Sequence, residues 1–398
     1  MPSASVNYRT LLRTSGAWAF FLPSAVGRLG IAMTGVGIVW LVHARTGSYA
    51  AAGLVTGGFA VADAVAGPQI GRLVDRFGQT RVLPCTLGAH SAAVALLLTG
   101  VLPDLAAGVC VGATLPQLGA LSAARWSALL SDERAAALPT AFALEALANG
   151  VSYLAGPALV SALGAAGRPS AGVLLAAALV VGGGLALAAQ RRTTPPLTDR
   201  AERHRAGRAL LRSAFLRQAA LGLTLGVFFG ATQVSVTAYA VGRGTPDAAA
   251  PLYFASNCTS LVGSWAYGAW RHGGSPRHHQ AAAAACLTLT SLPLIFLDTP
   301  LAIGTTLALT GLAVPVLLIL TSVLTQSSVP RVVLTQAFTW GNSASAAGSA
   351  AAAAVAGRVV DASGAHGGFG VAAGAAVAMT VLALGGLRDS SAAEGERP

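Results

Sequence analysis

The chain has 398 residues, of which only 10% are charged and 54% are hydrophobic, with a mean hydropathy of +0.65. A water-soluble domain carries roughly a quarter charged residues, so this composition excludes one and points to a bilayer, where the outer surface stays apolar. The formal net charge of +11 raises nucleic acid as a partner, but all 25 basic residues are arginine. That pattern fits a GC-rich genome and the basic cytoplasmic loops of a membrane protein, and no nucleic acid is expected.

A spanning helix needs about twenty mostly apolar residues. The sequence predicts twelve, at about 16–42, 50–71, 82–102, 105–125, 137–162, 170–189, 214–241, 249–270, 279–297, 301–324, 333–357 and 367–387. The first is too long for a signal-peptide core and is followed by eleven more, so cleavage is not expected.

The first span carries Arg28 and, further along, Trp40; the second carries Asp63. The loop after the second reads GRLVDRFGQTR, from Gly71 to Arg81. Gly71 lets two helices approach closely and Gly78 supports a tight turn, while Asp75 stands beside the guanidiniums of Arg76 and Arg81. In the third span His90 reads as a packed residue. The fourth carries Gln117, with Arg125 at its inner end. The fifth carries Glu145 and then Gly156–Pro157, a pair that allows close packing and a bend because proline removes a backbone donor.

The stretch 190–213 is the longest hydrophilic one, and Pro195 and Pro196 break any helix there. Its arginines serve either as an anionic-lipid site or, as favoured here, as positive-inside anchoring in a linker. The second half is neutral within its spans, with Gln233, Asn257, Gln336, Trp340 and Asn342 as its main polar and aromatic residues. Together with Gln117 and Trp40 these are candidates to line a substrate cavity, and hydrogen bonding between helices is the competing role. The four cysteines (Cys85, Cys110, Cys258, Cys286) are scattered through apolar stretches without a C-x-x-C pair. Neither a metal nor a disulfide frame is expected, and no cofactor motif is present.

With the N-terminus inside, twenty arginines fall on the cytoplasmic side, among them Arg271 and Arg397, and four (Arg45, Arg168, Arg243, Arg358) fall outside. Both termini are therefore expected in the cytoplasm of a cell-membrane protein. Six spans over 1–189, a linker over 190–213 and six spans over 214–398 is the layout of a duplicated transporter. Pairing Glu145 with Gln336 gives an internal offset of 191 residues, and Gly71 with Gly263 gives 192.

GRLVDRFGQTR resembles the signature loop of the major facilitator superfamily, G-x-L-x-D-R-x-G-x-x-R, at the place where that family carries it. The resemblance implies an all-α membrane fold of two pseudo-symmetric six-helix bundles. It also implies that Asp75 faces the start of helix 11 and latches the two halves when the inner gate is shut. The equivalent loop of the second half, GSWAYGAWRHGG from Gly263, has Tyr267 in the matching place, so the latch is one-sided. Gly156–Pro157 is similar to the G-x-x-x-G-P element of the family's proton-exchanging exporters, with Ser152 replacing the first glycine and Val160 and Ser161 replacing a later pair. The arginine that the family often carries in helix 4 is replaced near Leu115, which puts coupling through that position in doubt.

Arg28, Asp63 and Glu145 sit at depths that differ by about 6 Å at 1.5 Å per residue. Charges inside a membrane usually face a cavity or a partner. Either Glu145 or Asp63 exchanges a proton while Arg28 holds the pair, or Arg28 and Asp63 form a permanent ion pair locking helices 1 and 2. No nucleotide loop or hydrolase motif is present, so an enzyme is not expected. The expectation is a monomeric secondary transporter moving a small organic molecule, by proton-coupled efflux of a drug or metabolite or, alternatively, by proton-coupled uptake. A sensor or enzyme without transport is the remote alternative.

Overall fold

The computed structural model describes residues 8–196, 200–245, 248–269 and 274–395. Of the arginines counted above, Arg271 and Arg397 lie outside these residues, as do the side chains of Arg200, Arg203 and Arg388.

The described chain is helical, and nine segments of it are long and apolar enough to cross a membrane. A short helix, α1 (Tyr8–Leu12), precedes α2 (Ala17–Thr46), α3 (Tyr49–Phe77), α4 (Gln79–Thr99), α5 (Asp104–Ala113), α6 (Leu118–Leu129), α7 (Leu138–Ala165) and α8 (Pro169–Ala189). The linker holds α9 (Arg200–Gly207), followed by α10 (Ser213–Gly242), α11 (Ala249–Ala269), α12 (Pro276–Ser291), α13 (Pro300–Ser328) and α14 (Leu334–Gly395). Taking α5 and α6 as one broken span and α14 as two arms, and counting α11 and the 16-residue α12, yields six helical segments before and six after residues 190–213.

Two sequence expectations need correction. The span expected at 105–125 is broken over residues 114–117, because Pro116 lacks a backbone N–H and cannot continue α5. The signature stretch is not a loop: Gly71 to Phe77 continue α3, and the chain turns at Gly78 alone, whose φ of 90° suits glycine. The last two expected spans, 333–357 and 367–387, are the two arms of α14, which part at the non-helical Gly364, φ 72°.

The duplication also has a different register. The starts of α2 and α10, of α5 and α13, and of α7 and α14 are all 196 residues apart. The left-handed Gly167 between α7 and α8 returns 197 residues later as the left-handed Gly364. Glu145 therefore corresponds to Gly341 rather than Gln336, and the offsets of 191 and 192 came from local likeness of composition.

Small residues set how the helices meet, as expected where lipid gives no hydrophobic drive for association. Gly222, Gly226 and Gly230 on α10 lie against the backbone of Gly341, Ser345 and Ser349 on α14. Gly27 and Gly183 bring α2 and α8 together in the same way, and Gly156 seats α7 on Leu29 and Ala32.

The halves share one apolar cluster, at the arginine-rich end, where Val74, Leu138 and Phe142 pack with Leu334, Ala337 and Phe338. The Phe142 and Phe338 rings meet edge-on at 5.9 Å across the halves. At the opposite end each half keeps its own cluster, around Leu41, Val55 and Leu97 in the first and around Tyr239, Ile303 and Phe369 in the second. The two halves are thus sealed at the arginine-rich end and separately packed at the other.

Candidate functional site

Glu145 lies two turns into α7, turned inward against α2 and α6. Its Oε2 is 2.6 Å from Nη1 of Arg28, and both side chains are more than nine-tenths buried. Its Oε1 accepts hydrogen bonds from the Ser122 hydroxyl (2.5 Å) and the Trp126 indole (2.7 Å), one turn apart on α6. Arg28 also donates to Asn149 Oδ1 at 3.1 Å, one turn beyond Glu145 on α7, and Asn149 is exposed. The ion pair is thus flanked by two further donors to the same carboxylate. Among the described residues, Nη2 of Arg28 and Oε2 of Glu145 are buried without a hydrogen-bond partner.

Asp63 does not pair with Arg28, which corrects the ion pair considered between helices 1 and 2. Its Oδ1 instead accepts 2.8 Å from the Gln117 amide, whose side chain rests on Gly67 one turn further along α3. The break between α5 and α6 is what frees Gln117 to reach across. Gln117, expected to line a cavity, is therefore the partner of Asp63.

Near the arginine-rich end, Asp75 Oδ2 accepts from the Gln336 backbone N–H at 2.9 Å, and Thr335 adds its hydroxyl and N–H. These are first-turn groups of α14, whose N–H donors have no partner within the helix and whose dipole favours an anion. Gly71, one turn before Asp75, sits against Gln336 and Thr339 with no room for a Cβ. The guanidinium of Arg76 lies 4.8 Å over the Phe77 ring, and Arg81 is exposed.

The other cavity candidates separate. Trp40 is a packing residue: its ring covers Gly164 on α7 and its indole donates to Ser161 at 3.3 Å. Gln336 meets α3 at the sealed end. Gln233, Asn257, Trp340 and Asn342 are exposed on the second half, and the Gln233 carbonyl accepts from the Tyr253 hydroxyl at 2.5 Å. His90 is fully buried on α4.

Sequence reading missed Ser122, Trp126, Asn149, Tyr8 and Tyr153. The signal for the first three was polar or indole residues at i, i+4 spacing on apolar helices, which puts them on one face. Tyr8 lies in the N-terminal segment before the first span, and its hydroxyl donates to the carbonyls of Ser264 and Trp265 on α11, each at 3.1 Å. Burial pushes its phenol up to about 12. Tyr153 on α7 is 64% exposed yet lies deep in the molecule, within electrostatic reach of Asp63 and Arg28.

Two helical bundles joined by a linker, sealed together at one end, with charges at mid-depth, define a membrane carrier. The chain belongs to the major facilitator superfamily, whose family model matches residues 20–332. No curated protein matches the sequence significantly. Solved structures of membrane transporters share the fold. The human organic anion transporter MFSD10 (TETRAN) is 17% identical with a TM-score of 0.70, covering 92% of this chain and 98% of its own. A bacterial homologue of the iron transporter ferroportin in the outward-facing state is 11% identical with a TM-score of 0.75, covering 92% and 98%. The transporter FucP in the outward conformation is 14% identical with a TM-score of 0.69, covering 91% and 97%. The protein is a multi-pass membrane transporter of a small molecule, not an enzyme.

Proposed function

We propose that this transporter exports a small organic molecule, a drug or a metabolite, in exchange for protons by alternating access. The observation that carries the reading is the buried Arg28–Glu145 pair at 2.6 Å, which ties α2 to α7. Neutralising the carboxylate would leave a buried guanidinium without its counter-charge, an arrangement that costs about 3–5 kcal/mol. Proton arrival at Glu145 therefore has the leverage to repack the helices around it. Asn149 joins the pair to an exposed surface and offers a route for the proton.

In this reading Asp75, with Gly71, Arg76, Gly78 and Arg81, is the latch that holds the sealed end shut, and Gly156–Pro157 is the point about which α7 bends. We assign the arginine-rich end to the cytoplasm of the cell membrane, with both termini there, on the strength of the arginine skew. The working unit is a monomer of two halves, 1–189 and 214–398, joined by 190–213. Uptake with protons is the second reading, favoured by the likeness to a fucose:proton symporter of the same fold.

The test is substrate flux in proteoliposomes under an imposed pH gradient, comparing the wild type with Glu145→Gln and with Arg28→Gln/Glu145→Gln. Loss of gradient dependence is expected in both variants, and unchanged dependence would remove Glu145 from coupling. Cell growth fixes direction, since an exporter protects against its substrate and an importer sensitises.

A further inference from the structure

Asp63 and Tyr153 stand at one level. Asp63 lies eight residues from Gly71 along α3, about 12 Å from the seal on the open side. Tyr153 lies ten residues, about 15 Å, beyond Ala143, which packs against Gly268 of α11, and three residues beyond Gly150, which packs against Leu261 of α11. Both point into the molecule: Asp63 faces the α5–α6 break, and Tyr153 is accessible although protein surrounds it. Beyond this level the two halves form separate apolar clusters. The level is thus the floor of the space between the bundles.

Charge decides what binds there. Arg28 and Glu145 neutralise each other at 2.6 Å. Among the described residues, Asp63 hydrogen-bonds a neutral amide, that of Gln117, and no cation. Asp75, by contrast, has the first turn of α14. The floor therefore carries one negative charge beside an accessible phenol ring, and a bare anion inside a membrane protein calls for a counter-charge.

We infer that Asp63 and Tyr153 form the binding spot for a positively charged group of the substrate, a protonated amine or a quaternary ammonium. The carboxylate supplies the charge-assisted contact, and the ring supplies a face for the cation. Gln117 holds the carboxylate in place. The inference rests on the alternating-access reading above but not on its proton coupling.

The test is equilibrium binding of tetraphenylphosphonium and benzyltrimethylammonium to the full-length protein in detergent, with triphenylphosphine oxide as the neutral probe. The wild type is expected to bind a cation and to discriminate against the neutral probe. Asp63→Asn is expected to weaken the cation by at least about tenfold, with Asp63→Glu retaining most of the affinity. Tyr153→Phe should keep binding and Tyr153→Ala lose it. As a measurement on the unsubstituted protein, the bound cation should protect Asp63 from dicyclohexylcarbodiimide, read by mass spectrometry. The inference is overturned if neither cation binds, if the neutral probe binds as well, if Asp63→Asn stays within about twofold of the wild type, or if Asp63 is not protected. No pH gradient enters this assay, so its failure leaves the Glu145 reading standing, and the reverse holds too.

Discussion

The Tyr8 hydroxyl lies 3.1 Å from the Ser264 carbonyl, so the N-terminal helix of one half is hydrogen-bonded to α11 of the other. Gly268, one turn further along α11, has no room for a Cβ because the Tyr8 hydroxyl and Ala143 already fill that space. Leu11 is buried in the shared cluster beside these groups. The crossing of α11 with α7 is the counterpart of the crossing of α3 with α14. Where the latter has Asp75, the former has Tyr8.

Tyr8→Phe should remove about 1 kcal/mol of hydrogen bonding and loosen the sealed end. Hydrogen–deuterium exchange over 264–268 and 138–143 should quicken, and unchanged exchange would rule out a tie. Because the folded chain raises the phenol from 10.0 to about 12, it favours the protonated donor. That contribution is fully present below the unfolded value and is lost as pH rises through the folded one. The difference between wild type and Tyr8→Phe should therefore stay flat between about pH 6 and pH 9 and shrink only above about pH 10.

Asp75 acts as an N-terminal cap for a helix of the opposite half. Asp75→Asn keeps an acceptor oxygen but loses the charge, and should cost about 0.3–1 kcal/mol. Asp75→Ala loses the hydrogen bonds as well and should fall further. Thermal unfolding in detergent should rank wild type above Asn above Ala, and three equal melting curves would show that the cap contributes nothing.

Arg125 is fully buried and uses its guanidinium on four acceptors: Gln79 Oε1 (2.7 Å), the Gln190 carbonyl (2.7 Å), Thr193 Oγ1 (3.0 Å) and the Leu187 carbonyl (3.0 Å). It thereby caps the C-terminal end of α8, where a cation is favoured. Arg125→Lys cannot reproduce the planar fork, and Arg125→Met leaves all four acceptors unmet. At about 1.5–3 kcal/mol for each hydrogen bond to a charged group, the Met variant should aggregate on extraction. Size-exclusion chromatography would show this, and a monodisperse peak with wild-type thermal stability would contradict it.

Packing between α10 and α14 leaves Gly226 no room, since a Cβ there would overlap the Ser345 backbone. Gly226→Ala should cost about 1–3 kcal/mol through overpacking. Gly182→Ala, in α8 with nothing within 4 Å of the added carbon, should be neutral or gain slightly from helix propensity. Paired unfolding curves check both, and equal effects would refute the close crossing.

Membrane character and the signature stretch were legible because each is written in local composition. Asp75 could be assigned to the start of the eleventh expected span, here the first turn of α14, only through the family resemblance, since Gln336 is 261 residues away in sequence. The partners of Arg28 and Asp63 were not legible. Their depths alone allowed either carboxylate to pair with Arg28, and the choice depended on the break at Pro116, which turns Gln117 toward Asp63. Trp40 read as a cavity residue because depth along a helix does not reveal azimuth.

Apolar length, arginine skew and the glycine at each tight turn are properties of consecutive residues, so the amino-acid sequence by itself determined a duplicated helical membrane protein. Tertiary structure decided the 196-residue register, the Arg28–Glu145 and Asp63–Gln117 pairings, and the end at which the halves are sealed. The physical reason is that a buried charge takes whichever partner the helix crossings bring within reach, and the crossings are set by small residues far apart in the chain.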